Sequence, residues 1–247
     1  MQTQLVTCGT APHGTFEVSI TMTKRALAAL LFTLASPLAC KSTTAANPVL
    51  LTANVADPND LNAVSDFNSC IGHAFNGNNS AKNYFWPNST NFSTNGVVKL
   101  FAACNGITSQ NSDDTNDPQE FTRGQSIHLS CDNSSTALRY FHITYPPGSL
   151  GQHVTAGAFL GTATMVGNGQ TPSNSWQYSS NFDIAVVEGE DDRSENYFSK
   201  LDGPTFAAWA ARGVTSVSQT IVPGNPNCTS YNANVGGPGI FVFTPAH

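Results

Sequence analysis

Asp183 is the residue of this sequence whose type and position most require a chemical explanation. It lies within the apolar run Phe182-Asp183-Ile184-Ala185-Val186-Val187, and an unpaired carboxylate buried in such a strand would cost several kcal/mol. Asp183 therefore needs a partner, which could be a histidine, an arginine or a metal ion. The simplest alternative is a hydrogen bond from Arg139 or from Ser and Thr hydroxyls.

His142 is the strongest candidate for that partner. It lies in a strand-like run, where alternation places it on the face of Leu138 and Tyr140, opposite Phe141 and Ile143. Taken alone, a half-buried histidine bonded to a backbone carbonyl would be the simpler interpretation. The presence of Asp183 shifts the interpretation of His142 towards a functional role.

His73 is the second candidate histidine. It follows Cys70 and precedes an Asn/Gly-rich loop. A rigid segment before the histidine and an adaptable one after it suit a histidine that serves as a metal ligand, although a surface histidine fits equally well. His128 on a strand and His153 in a turn are expected to be exposed.

Short strands must position these side chains. Apolar or alternating runs recur between turn-rich segments, which predicts strands at 97–103, 126–131, 137–144, 158–163, 182–187 and 240–243. The Asn-Gly and Pro-Pro-Gly turns favour antiparallel hairpins over βαβ units. The predicted fold class is mainly β, an antiparallel sheet or sandwich, with one or two short helices towards the C-terminus.

One helix is predicted near residue 204. Pro204 can occupy its first position, Phe206, Trp209 and Ala210 recur at helical spacing, and Arg212-Gly213 ends it. We expect this helix to cap the sheet.

The first 46 residues read as a leader. From Met22, two basic residues and an apolar stretch precede small residues around Cys40, which is typical of a secretory signal peptide. Cys40 could be lipidated at a lipobox-like site, or cleavage after residue 46 could release a soluble protein. We therefore expect a β domain at 47–221 and a loop-rich tail at 222–247.

The amino-acid composition limits the classes of partner that this protein can bind. Charged residues make up 11% of the chain and the formal net charge is −6, with no basic stripe for nucleic acid or an anionic membrane. The apolar stretch of the leader is too short for a membrane span. Removing the leader leaves Cys70, Cys104, Cys131 and Cys228, which predicts two disulfides in any of three pairings.

Three segments resemble the M23 family of zinc metallopeptidases, the lysostaphin and LytM-like enzymes that cut peptide cross-links in peptidoglycan. Residues 97–107 look like the family's "PVYAxxxGxV" strand and turn, and residues 140–143 look like its "YAHL". Residues 151–161 look like its "GdxVxxGqxIG". The resemblance covers under half of the chain and implies a hybrid antiparallel β fold.

The resemblance also implies zinc chemistry. The family holds zinc through a His and an Asp of H-x-x-x-D and the second His of H-x-H, and a metal-bound water attacks the peptide. His142 matches the assisting "YAHL" histidine, which moves protons. Asn181-Phe182-Asp183 fills the H-x-H position, however, and no H-x-x-x-D is present, because Gly77 follows His73 by four residues and residues 83–87 begin with Asn.

Two interpretations of this altered pattern stay open. His73, His142 and Asp183 could bind zinc in a rearranged site, with His142 as the catalytic residue. Alternatively, zinc has been lost and the groove binds glycan or peptide without cutting it, the interpretation we favour because ligand substitutions usually destroy affinity.

Function is then expected at the bacterial envelope, in a secreted, periplasmic or lipid-anchored outer-membrane protein. Its partner would be peptidoglycan, a cell-wall peptide or a cell-wall hydrolase. An extracellular structural or adhesion module is a third hypothesis, which the uncharged Asn/Ser/Thr-rich composition supports.

Overall fold

An antiparallel β-sheet forms the body of the structure. The computed structural model describes residues 50–71, 81–88, 96–110, 124–164, 181–189, 193–224 and 239–245, all within one compact unit, Ala45–His247. In this part of the chain the strands are β1 (Leu61–Ser65), β2 (Asn83–Pro87), β3 (Lys99–Phe101), β4 (Gly106–Gln110), β5 (Gln125–Cys131), β6 (Thr136–Thr144), β7 (His153–Val154), β8 (Phe159–Ala163), β9 (Phe182–Glu188), β10 (Arg193–Glu195) and β11 (Ile240–Val242).

The strand order is β11-β1-β2-β9-β6-β5-β4-β7, with β10 beside β9 and β8 joining β3 to β6. Every strand predicted from the apolar runs is present, and the predicted mainly β, antiparallel fold class is confirmed. Strand β9 lies between β2 and β6, and its register places Asp183 opposite Tyr84 on one side and Phe141 on the other.

The main core lies on the opposite face of β9. Phe182, Ile184 and Val186 alternate with Asp183 and pack there with buried side chains from β2, β5 and β6. Because successive side chains of a strand point to opposite faces, Asp183 projects away from this core.

The predicted C-terminal helix spans Gly203–Ala210 and covers the core. Asp202 caps it by accepting a hydrogen bond from the backbone N–H of Thr205 at 2.8 Å, and Pro204 occupies its first turn. The fully buried ring of Trp209 lies 5.9 Å from the ring of Phe85 on β2. Three short 3-10 helices accompany it in the described chain, at Pro58–Asp60, Tyr197–Lys200 and Val217–Thr220.

A disulfide and a C-terminal strand add further connections within the described structure. The disulfide joins Cys104, just before β4, to Cys131, the last residue of β5. Cys70 is also disulfide-bonded, and Cys228 lies outside the described residues. Within the expected tail, β11 pairs with β1 and Phe243 is buried in the main core.

Two predictions made from the sequence fall outside the described residues. They are the leader with its lipobox-like Cys40, and His73. No helix in the part of the chain that the structure describes combines the length and hydrophobicity needed to cross a bilayer.

Candidate functional site

A cluster of charged and titratable groups surrounds the carboxylate of Asp183. The side chain is fully buried, and its Oδ2 lies 2.8 Å from Nζ of Lys82, which donates a hydrogen bond to it. The other oxygen, Oδ1, lies 3.2 Å from Nε2 of His142. We call these three residues the Asp183 cluster.

The contacts of Lys82 within the described structure include two attractions that hold it in the cluster. It directly precedes β2, its side chain is 22% exposed, and its Nζ lies 3.4 Å from the centroid of the Phe141 ring. Because the face of an aromatic ring carries partial negative charge, it attracts the ammonium as the carboxylate does. The ammonium is therefore fixed between the buried carboxylate and the ring.

A β-bulge directs His142 towards Asp183. The pairing of β5 with β6 shifts by one residue between Tyr140 and Ile143, and His142 has a left-handed backbone with φ of 60°. The extra residue returns Ile143 to the main core, on the side of Tyr140. The predicted alternation, with His142 beside Tyr140 and opposite Ile143, is therefore wrong, because a bulge breaks the two-residue period.

Gly124 makes room for this bulge. Its own φ is +87°, and a Cβ there would lie 2.6 Å from Oγ1 of Thr164 and 3.0 Å from the carbonyl carbon of His142. The backbone N–H of Thr164 in turn donates to the carbonyl of His142 at 2.7 Å. Left-handed backbone at a non-glycine residue costs about 1–3 kcal/mol and is often found at functional sites.

The cluster keeps Asp183 ionised. Burial alone would raise the pKa of Asp183, but the charge of Lys82 and the contact with His142 outweigh it and hold the pKa well below its usual range. Lys82 dominates because a full positive charge at contact distance has a strong effect where water is excluded.

One oxygen of this carboxylate is incompletely satisfied. Although Nε2 of His142 is close to Oδ1, the two atoms do not meet hydrogen-bond geometry, and Oδ1 has no hydrogen-bond partner among the described residues. Most buried polar atoms in proteins have one, so an unpaired carboxylate oxygen calls for a reason beyond packing.

The structure thus brings together His142 and Asp183, two of the three site residues predicted from the sequence. Their roles, catalytic for His142 and metal-binding for Asp183, stay predictions. The partner that the sequence reasoning missed is Lys82, and Arg139 does not fill that position. Lys82 lies directly before residues 83–87, the stretch compared with H-x-x-x-D, and no local pattern marks it as a partner of Asp183.

The other candidate positions lie outside the Asp183 cluster. Asn83 is buried, donates to the carbonyl of Ser65 at 3.0 Å and accepts from the N–H of Tyr197 at 3.1 Å. His153 is exposed, as expected, and lies 2.7 Å from Asp132. His128, which we expected to be exposed, is half-buried on β5.

The described residues do not fit the zinc site that the resemblance implies. They include no group of three His, Cys, Asp or Glu side chains able to hold a metal ion. His142 and Asp183 supply two donors, and the ammonium of Lys82 already neutralises the carboxylate and would repel a second cation. A structural or catalytic zinc site needs at least three protein ligands.

Among known proteins, similarity to this chain is found only with solved structures. No family model and no curated protein sequence matches the chain. The antimicrobial peptidase lysostaphin from Staphylococcus simulans is 15% identical with a TM-score of 0.43, over 67% of this chain and 61% of lysostaphin. Csd3 from Helicobacter pylori is 11% identical with a TM-score of 0.39, over 62% of this chain.

The catalytic domain of the prophage-encoded M23 protein EnpA from Enterococcus faecalis is 13% identical with a TM-score of 0.38, over 60% of this chain and 95% of that domain. The chain spans only 34% of the length of Csd3. These solved structures thus include peptidase domains, one of them described as M23, at 15% sequence identity or less.

Proposed function

We propose that this chain carries a degenerate M23-like domain that binds peptidoglycan or a cell-wall peptide, alone or while regulating a wall hydrolase, and does not cut it. The observation that carries the proposal is the contact between Lys82 and Asp183, 2.8 Å from Nζ to Oδ2. Asp183 stands where the family's H-x-H motif supplies a zinc ligand. A resident ammonium at that position supports binding without metal-dependent hydrolysis.

Charge balance supports this choice. The buried carboxylate and the ammonium form a neutral pair, so there is no net negative charge to attract a divalent cation. A metal ion would have to displace Lys82 and also break its contact with Phe141. The leader-like sequence of residues 1–46 supports the proposal that the domain acts outside the cytoplasm, as a secreted or lipid-anchored envelope protein.

The alternative is an active zinc endopeptidase with a site made by His73, His142 and Asp183. One distance favours it: Oδ1 and Nε2 are 3.2 Å apart, which is close to the separation of about 3.3 Å expected between two ligands at roughly 2.0 Å from a tetrahedral zinc. The third hypothesis, a structural or adhesion module, has support only from the low-charge composition.

Purified mature protein incubated with intact peptidoglycan sacculi separates the three hypotheses. We expect the protein to sediment with sacculi and to release no soluble muropeptides over a time course in which lysostaphin-type enzymes act. Release of muropeptides that is lost in Asp183→Asn would establish the peptidase. Failure to sediment would overturn wall binding and leave the structural module.

A further inference from the structure

A shallow cleft of about 360 Å³ lies at the β3 end of the sheet. Its lining combines small apolar side chains, an amide, a carboxylate and an aromatic ring, contributed by Ala53, Asn54, Ala56, Asp57, Pro58, Phe101 and Gly157. These residues are not part of the Asp183 cluster. The size is at the lower end of that of small-molecule sites, which combine apolar walls with a few oriented polar groups.

The amide of Asn54 is oriented by the core beneath it. Its Oδ1 accepts a hydrogen bond from Nε1 of Trp209 at 2.6 Å and a longer one from the hydroxyl of Tyr197 at 3.4 Å. Both aromatic side chains are fully buried, so the amide has little rotational freedom. With the oxygen engaged, the Nδ2 group is the end of the amide available to donate to a ligand in the cleft.

An aromatic surface adjoins these polar groups. Phe101 lines the cleft, and its ring centroid lies 6.4 Å from that of Phe159 in an edge-to-face arrangement. Phe159 is 48% exposed, one of the few large apolar side chains on the described surface that water reaches. Asp57 is exposed beside the cleft, with Oδ1 already accepting from the N–H of Asn59 at 2.9 Å.

We propose that this cleft binds an N-acetylhexosamine ring of a glycan. The Nδ2 group of Asn54 would donate to the acetamido carbonyl, and the carboxylate of Asp57 would accept from a sugar hydroxyl. The acetamido methyl would pack on the partly exposed Ala53, and the apolar face of the sugar ring would lie on Phe159. The choice of sugar rests on the proposed function, because wall peptidoglycan contains N-acetylhexosamine rings. The existence of the cleft and its polar and aromatic groups does not depend on that function.

Titration of the ¹⁵N-labelled protein with N,N′,N″-triacetylchitotriose tests the proposal. The indole N–H of Trp209 reports on the amide of Asn54, so its resonance should shift with saturable, fast-exchange behaviour. Phe159→Ala should weaken binding by about fivefold to tenfold, and Asn54→Asp, which keeps the acceptor for Trp209 but removes the donor, should weaken it at least as much. Val242→Ala, an equally exposed apolar truncation on β11, should leave the affinity unchanged.

The outcomes separate this inference from the proposed function. Retention on sacculi without a chitotriose-induced shift at Trp209, or equal binding by Phe159→Ala and the wild type, would overturn the glycan site and leave wall binding intact. Chitotriose binding that depends on Phe159, without retention on sacculi, would support the cleft and overturn the proposed function. Equal affinity for maltotriose, which lacks acetamido groups, would contradict the assignment of the sugar.

Discussion

Strand β9 carries one carboxylate near each end, and the two differ in burial and in their hydrogen-bond partners. Glu188, at the C-terminal end, is partly exposed and has three partners among the described residues: Lys200 at 2.5 Å, Arg193 at 3.3 Å and Thr136 at 3.3 Å. Asp183 is fully buried and accepts a hydrogen bond from Lys82 at Oδ2, while Oδ1 lies 3.2 Å from Nε2 of His142 without hydrogen-bond geometry.

The difference separates an ordinary ion-pair network from a candidate site. The partners of Glu188 engage both of its oxygens, so the loss of one partner leaves the carboxylate hydrogen-bonded to the others. Asp183 depends on one ammonium, and its neighbour His142 adopts a left-handed backbone to approach it. The combination of burial, an unpaired oxygen and backbone strain is what points to function in this molecule.

Removing the lysine from each end should give the largest contrast. Lys82→Met removes the ammonium that compensates the buried charge of Asp183, so we expect it to lower the free energy of unfolding by about 3–5 kcal/mol. Lys200→Met should cost less, about 1–2 kcal/mol, because Glu188 keeps Arg193 and Thr136. Urea unfolding at neutral pH measures both values.

A second variant tests whether the loss of stability comes from the buried charge or from general damage to the fold. If the loss in Lys82→Met comes from the buried charge, Asp183→Asn in the same chain should recover most of it. Equal destabilisation by the two lysine variants would mean that Asp183 depends on its lysine no more than Glu188 does, and would contradict the comparison.

The bulge that supports His142 gives the next largest effect. Gly124→Ala combines a left-handed backbone with a clash against Thr164, so we expect a loss of about 3 kcal/mol and movement of the His142 resonances. Gly189→Ala, next to Glu188, has a similar φ of +76° with open space around its Cβ and should cost about 1 kcal/mol. Similar losses in thermal or urea unfolding would show that the bulge at His142 is not tightly packed.

Asp66 shows how a half-buried carboxylate behaves when no cation among the described residues pairs with it. Its Oδ1 is buried and has no hydrogen-bond partner in the described structure, and burial raises the pKa of Asp66 to about 6. Because this pKa lies above the value in the unfolded chain, Asp66 favours folding less as pH rises from about 4 to about 6.

Asp66→Asn should therefore increase stability by less than about 1 kcal/mol at pH 7 to 8, after allowance for solvent screening. The gain should disappear as the pH falls below about 4. Asp183 should behave oppositely, since its lowered pKa stabilises the fold at pH values above about 4 and the benefit is lost on acidification. A stability profile of Asp66→Asn that is flat with pH would contradict this assignment.

Much of the sheet follows from sequence pattern alone. Strands β5, β6, β8 and β9 consist of apolar or alternating runs, and each forms where it is predicted. Strand β2 was missed because its sequence, Asn83-Tyr84-Phe85-Trp86-Pro87, combines an amide and a proline that a strand usually avoids. Its strand conformation depends on pairing with both β1 and β9.

The site was harder to predict than the sheet. Burial of Asp183 and its need for a partner follow from one apolar run, but Lys82 lies 101 residues away and lysines are mostly found at surfaces. The orientation of His142 depends on a one-residue bulge made possible by Gly124. Neither long-range pairing nor a bulge leaves a local pattern in the sequence, so both required the structure.

Zinc binding by the purified mature protein tests the central claim most directly. Isothermal titration with zinc, after treatment with a chelator, should show no stoichiometric site of micromolar or tighter affinity, because the ammonium of Lys82 already neutralises Asp183. One equivalent of tightly bound zinc in the wild type, lost in Asp183→Asn, would contradict the account and establish a rearranged metal site.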